Sequence, residues 1–277
     1  MKAALAAALL FGFVQHDGSA RTAAPAGFRF EGVPLQSGLM RGTAPAGTVS
    51  LALDGAEVPL AADGRFLLGF DRDRTGEALL VARLADGREI AGRLSVAPRQ
   101  WPIEHVALAR RPGGPSEDFM RRREPELARI AAARARRTDS AGWTQRFVWP
   151  ARGRISGRFG AQRIFRGEPG AYHSGVDIGA GAGAAVVAPA DGVVTLAPPP
   201  DFSLEGNLVI IDHGLGLSSA FLHLAAASVR PGQRVRQGQV IGTVGATGRA
   251  TGPHLHWGMM WNGARIDPEL LVGTGSN

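Results

Sequence analysis

The stretch that decides the reading is Gly252-Pro253-His254-Leu255-His256-Trp257. Two histidines stand two apart in an apolar run that follows the Gly/Thr-rich loop 245–252. If the run is a β-strand, residues i and i+2 point to one face, and both imidazoles enter one cavity. Such a pair can supply a metal ligand and a general base together. H-x-H is a short motif that core strands also produce by chance, so its meaning rests on what else the chain provides.

Five of the seven histidines fall between His173 and His256, a clustering that a random core does not explain. His173-Ser174-Gly175-Val176-Asp177 is an H-x-x-x-D in which Gly175 lets the backbone bend, so that imidazole and carboxylate face the same way. Nitrogen plus oxygen donors suit Zn²⁺. A third ligand from His254 or His256 completes two histidines and one carboxylate, leaving a fourth position for water, as in hydrolytic zinc sites. His223 ends the apolar strand Phe221-Leu222-His223-Leu224, where a buried, hydrogen-bonded histidine is the competing reading. His213 reads as a strand-end or hydrogen-bonding residue, and the isolated His105 as structural.

Around this cluster the chain reads as strands and turns. Segments 155–159, 185–188, 193–196, 207–211, 218–222, 240–244 and 255–260 are candidate strands punctuated by Gly, Pro and Asp. The segment 159–170 reads as a loop, and 229–242 as two tight hairpin-like turns. Together they predict a compact all-β domain. Upstream, 28–30, 48–53, 65–70, 78–84 and 88–96 are short strands with Asp-Gly turns at Asp54-Gly55, Asp63-Gly64 and Asp86-Gly87, the pattern of a small β-sandwich. No catalytic constellation falls in it. Between the two, residues 116–137 predict a basic helix capped by Ser116, with Glu117 and Asp118 in its first turn. Pro125 should kink it or start a second helix. Its arginines read as a solvated face.

The expected fold class is therefore mainly β: a sandwich-like domain over 26–100, a linker with a basic helix over 101–145, and an all-β domain over 146–277. Residues 1–20 have the form of an export signal, with Lys2 followed by the apolar run 3–14 and the small residues Gly18-Ser19-Ala20. His16 lies in this segment and receives no role. Export to the periplasm or cell envelope is expected, and no later stretch is long and apolar enough to span a bilayer. Cysteine is absent, which removes thiol nucleophiles, disulfides and Cys-ligated metal. The net charge of +7 is carried by arginine apart from Lys2. A compositional bias toward Ala, Gly and Arg accounts for most of this excess; the functional reading is attraction to an anionic polymer or membrane surface, and no zinc-finger, helix-turn-helix or aromatic-plus-basic pattern favours nucleic acid.

At this point the motifs carry a family resemblance. HSGVD at 173–177, HL at 223–224 and GPHLHW at 252–257 resemble the M23 peptidases of the lysostaphin/LytM type. GRISGRFG at 153–160, VAPADGVV at 187–194 and VRQGQVIGTVGATG at 235–248 extend the likeness over roughly 149–268. The resemblance implies His173, Asp177 and His256 as ligands of one Zn²⁺ per chain, and His223 and His254 as catalytic histidines. It implies hydrolysis of peptide bonds in peptidoglycan cross-links or stem peptides, with water at the metal as nucleophile. Phe221 stands where the family often has Tyr. Tyr172, the only tyrosine, directly precedes the first ligand and takes no oxyanion role. The alternative is a catalytically silent M23-like regulator that activates another wall hydrolase, although the chain keeps all five site residues. A lipoyl or biotinyl carrier needs an attachment lysine that 146–277 lacks. A sugar-transport phosphocarrier does not fit the export signal and the H-x-H pair. A cell-envelope regulatory partner is a further expectation, with the basic helix restraining access to the site until that partner moves it.

Overall fold

A computed structural model describes residues 27–107, 116–199 and 201–272. The export-signal reading of 1–20 lies outside the described residues. The upstream strands form two small antiparallel sheets. One orders Arg29–Glu31, Leu39–Thr43 and Arg65–Gly69; the other orders Ala56–Glu57, Thr48–Leu53, Glu77–Leu84 and Glu89–Ser95. Alternation does the sorting: along Glu77–Leu84, Ala78, Leu80, Ala82 and Leu84 are buried while Glu77, Leu79 and Arg83 face out. Asp54-Gly55 closes the two-residue hairpin between Thr48–Leu53 and Ala56–Glu57, with both turn residues at positive φ, as this turn type demands.

The downstream half is a ten-stranded antiparallel sheet. Its spine runs Arg234–Val235, Gly192–Leu196, Asn207–Gly214, Leu217–Ala227, Leu255–Trp261, Val176–Gly179, Arg154–Gly157. The fold is mainly β, as expected. Among the strands that escaped the sequence reading are Leu39–Thr43, Val176–Gly179, Ala264–Ile266 and Ile103–Val106. The last pairs in parallel with Gln162–Phe165, which in turn pairs with Glu168–Pro169, so 159–170 is more than a loop. His105 is exposed on that short pairing.

One hydrophobic core runs from Phe28 and Phe66 through to Trp257 and Ile266. The upstream sheet meets the downstream one closely at Gly69: a Cβ there would stand 2.8 Å from Ile266 and 2.9 Å from Trp261. A second cluster joins Ile130 and Ala133 of the helix to Leu208, Ile210 and Ala220 of the large sheet. The helix spans Glu117–Ala135 with the Ser116 hydroxyl accepting from the Phe119 N–H. It continues through Pro125, so neither a break nor a second helix forms there. Packing holds the segment. Buried Arg123 reaches Glu205 in two hydrogen bonds of 2.6 Å and Glu126 at 2.9 Å, while Glu126 accepts from the Ser203 N–H at 2.9 Å. Leu127 stays exposed. No helix among the described residues is long and apolar enough to cross a membrane.

His213 is fully buried between the Asp191 carbonyl and the Ser219 hydroxyl, each at 2.8 Å, away from the other clustered histidines. Burial pushes it down to about 4. The unfolded chain, titrating near 6.5, then binds the extra proton first. Stability present above pH 6.5 drains away as pH falls towards 4, by up to about 3 kcal/mol from this group. Calorimetry should show the melting temperature falling over that window, with a shallower fall in His213→Gln. An unchanged slope in the variant would remove His213 from the account.

Candidate metal centre

The site lies on the large sheet where three strands meet. Leu255–Trp261 runs between Leu217–Ala227 and Val176–Gly179, and His256 is directly opposite both Leu222 and Asp177. Opposed residues of an antiparallel pair share a face, so register alone brings Asp177 beside His256. His254, two residues earlier, joins that face. His173 precedes the strand Val176–Gly179 and is pinned by its backbone: its N–H donates to the Ala161 carbonyl, and its own carbonyl accepts from Gly160.

His223 reaches the site by a different device. Phe221 and Leu224, three apart, both enter the main core, which regular alternation forbids. The extra residue is a bulge, seen as a register shift beside Val209 and again after Leu224. His223 sits in it at φ 64°, a left-handed conformation costly for a residue with a Cβ. The consequence is that Leu222 and His223 both leave the core side. The His223 ring stands 4.8 Å from that of His254 and 6.3 Å from that of His256.

Three donor atoms converge. Asp177 Oδ1 lies 3.0 Å from His173 Nε2 and 2.8 Å from His256 Nδ1, and the two nitrogens are 3.1 Å apart. These three residues form a group able to hold a metal ion. His254 Nε2 is 3.9 Å from the same carboxylate oxygen. Backbone carbonyls set the tautomers. His173 Nδ1–H donates to Arg158 at 2.9 Å, His223 Nδ1–H to Thr247 at 2.9 Å, and His254 Nδ1–H to Gly252 at 2.8 Å. In each neutral ring the lone pair therefore sits on Nε2. For His173 that is the atom facing the cluster, the outer-shell arrangement usual for metal-ligating histidines.

Electrostatics follow the geometry. Burial works against the Asp177 charge, but hydrogen bonds from His173 in its protonated form and from His256 outweigh it and hold the carboxyl well below its ordinary range. Burial would lower His173, yet its bond and charge interaction with Asp177 raise it. Burial prevails at His256 and at His223, both of which shift down. His256 is thus ready to offer a neutral nitrogen at neutral pH.

The structure thus groups His173, Asp177 and His256 as one donor set, with His223 and His254 beside it and His213 elsewhere. The carbonyls that orient the rings, and Arg134 and Arg265 nearby, carried no sequence signal. Tyr172 points its hydroxyl at Asp71 at 3.2 Å, and the guanidinium groups of Arg72 and Arg265 both lie over its ring.

A mainly β chain with a two-histidine, one-carboxylate donor set and two further imidazoles defines the class: a metallopeptidase-type β fold. The profile of Peptidase family M23 matches residues 171–268. A Pseudomonas aeruginosa chain solved crystallographically as a candidate M23 peptidase superposes with a TM-score of 0.69 at 30% identity, covering 88% of this chain and 97% of that one. The chain belongs to peptidase family M23. Peptidoglycan DD-endopeptidase ShyC of Vibrio cholerae is 41% identical over 120 residues, 43% of this chain and 27% of ShyC. DD-carboxypeptidase/endopeptidase Mpg of Neisseria meningitidis serogroup B is 43% identical over 100 residues, 36% of this chain and 23% of Mpg. The chain spans about a quarter of the length of the curated relatives it matches.

Proposed function

We propose that this protein is a zinc-dependent endopeptidase that hydrolyses peptide bonds of peptidoglycan in the cell envelope. The observation that carries the reading is the convergence of three donors within 3.1 Å of one another, flanked by two imidazoles whose lone pairs are on Nε2. Tetrahedral zinc with bond lengths of about 2.0–2.2 Å sets its donors about 3.3–3.6 Å apart. The cluster thus needs to open by only about half an ångström, and its nitrogen and oxygen atoms are the types zinc takes. His173, Asp177 and His256 would hold one ion. When bound, zinc lowers the pKa of water and polarises a carbonyl.

The chain's own residues supply the proton handling. His254 Nε2, the ring nitrogen left free by the Nδ1–Gly252 hydrogen bond and close to the donor set, is the base that takes a proton from the attacking water and returns it to the leaving amine. His223, kept neutral by burial at neutral pH, offers a lone pair in that state. It donates to a developing oxyanion only once Nε2 carries a proton. The two imidazoles, with ring centres 4.8 Å apart, can exchange these two roles. In this reading residues 146–277 catalyse, while 26–100 and the helix position the site and the wall polymer.

Relatives named as peptidoglycan endopeptidases support the substrate class. The test is digestion of purified peptidoglycan sacculi by the zinc-loaded full chain, with products read by mass spectrometry. Soluble peptides with newly freed termini are expected, and prior removal of the metal by a chelator should abolish their release until zinc is restored. A full zinc complement with no bond cleaved would instead favour the silent-regulator reading.

A further inference from the structure

A cavity of about 200 Å³ adjoins the donor set and shares His256 as part of its wall. Its wall also includes Arg123 and Arg134 of the helix and Arg265 of the strand Ala264–Ile266, together with Ser174 and Glu205. The charges do not balance. Glu205 is taken by Arg123 through two hydrogen bonds of 2.6 Å, and Arg123 is further held by Glu126. Among the described residues, neither Arg134 nor Arg265 has a carboxylate within ion-pair distance. Arg265 rests against the Tyr172 ring, its guanidinium carbon 5.4 Å from the centroid, with Tyr172 in turn tied to Asp71. Arg134 is half-buried and Arg265 exposed; burial and then the positive charge of Arg265 disfavour the protonated form of Arg134, and the negative charge of Glu205 offsets them only in part. Two guanidinium groups are thus brought together from residues 131 apart in sequence, against their mutual repulsion, beside the residue that would hold the metal. An anion placed between them removes that repulsion and accepts charge-assisted hydrogen bonds.

Resting on the endopeptidase reading, we propose that Arg134 and Arg265 form a specificity subsite for a carboxylate that the substrate carries next to its scissile peptide bond. Carboxylate is favoured over other anions because the substrate class is peptidic and the cavity is small. The helix then has a use beyond connection: it delivers one of the two arginines. The carboxylate has two possible sources, the C-terminus of a stem peptide or an acidic side chain beside the scissile bond.

The experiment titrates the zinc-loaded full chain by saturation-transfer NMR. The probes are acetyl-D-Ala-D-Ala, its C-terminal carboxamide, and acetyl-D-Ala-D-Glu carboxamide with a free side-chain carboxylate. Cleavage of each is followed separately by mass spectrometry. At least one free-carboxylate probe should bind about tenfold or more tighter than the plain carboxamide, and whichever does so names the source. Arg134→Gln and Arg265→Gln should each bring that ratio close to one with zinc content unchanged, and Arg134→Lys should keep part of it. Arg122→Gln, an exposed arginine on the same helix, should keep the full ratio and so excludes a bulk-charge effect. If Arg265→Gln fails to fold for want of its Tyr172 contact, Arg134→Gln decides. Equal or undetectable binding of the carboxylate probes, or a ratio that survives in Arg134→Gln, overturns the proposal. Discrimination that disappears in Arg134→Gln while no probe and no sacculus is cleaved leaves the subsite standing and the endopeptidase reading fallen; cleavage without discrimination is the reverse.

Discussion

His254→Ala is expected to keep its zinc and lose turnover by about 10²–10⁴-fold, the usual cost of removing a positioned acid–base group. His256→Ala is expected to lose both metal and turnover. The contrast follows from where the two nitrogens lie. His256 Nδ1 is one of three mutually close donors, 2.8 Å from Asp177 and 3.1 Å from His173, whereas His254 Nε2 stands 3.9 Å from Asp177 and belongs to no donor group. Removing His256 also takes away one of two partners that hold the Asp177 charge, so the remaining donors are rearranged as well as reduced. Metal content by atomic absorption and hydrolysis of sacculi separate the two variants. Circular dichroism of each metal-free protein controls for folding. Zinc lost from His254→Ala and retained by His256→Ala would exchange the two roles.

How far these roles were legible follows from the kind of signal each residue leaves. His254 and His256 announce themselves because strand alternation is local, and Leu255–Trp261 keeps its period. His173 and Asp177 were readable as a spacing, although the strand that carries Asp177 is only Val176–Gly179, with Gly175 before it and Gly179 at its end, too short to show alternation. His223 was visible as a histidine in an apolar strand, but strict period two would have buried it with Phe221; only the bulge and its left-handed φ bring it round. No residue in Phe221-Leu222-His223-Leu224 encodes that bulge, which arises from pairing with two partner strands at once. The Arg134 and Arg265 convergence is harder still, because it depends on how the helix docks through Ile130 and Ala133 onto a sheet more than sixty residues downstream. Solvated arginines and cavity-lining arginines look alike in sequence. The parallel pairing of Ile103–Val106 with Gln162–Phe165 is silent for the same reason: non-local partners leave no local period.

The glycines beside the donors lead to a second large effect, and it acts through space rather than chemistry. Gly175 precedes the short strand that carries Asp177, and a Cβ there would lie 2.6 Å from His256 Nε2 and 2.6 Å from the Trp257 carbonyl oxygen. The carbonyl belongs to the central strand, so it cannot retreat without disturbing the pairing of Val176 with Trp257. The imidazole must move instead, and with it Nδ1. Gly175→Ala should therefore weaken zinc binding by at least about 10–100-fold, the range seen when the groups that orient a metal ligand are lost, while the core on the far side stays folded. Gly157→Ala makes a useful comparison. Its Cβ would come 2.5 Å from Asp177 Oδ2, the free end of a side chain whose other oxygen holds the cluster. A carboxylate can rotate where a strand cannot slide, so the loss there should be smaller. Competition against a chromogenic chelator measures both affinities. Wild-type zinc affinity in Gly175→Ala would mean that the His256 ring is not confined between Gly175 and Asp177, and the donor geometry would then have to be drawn from a different ring orientation.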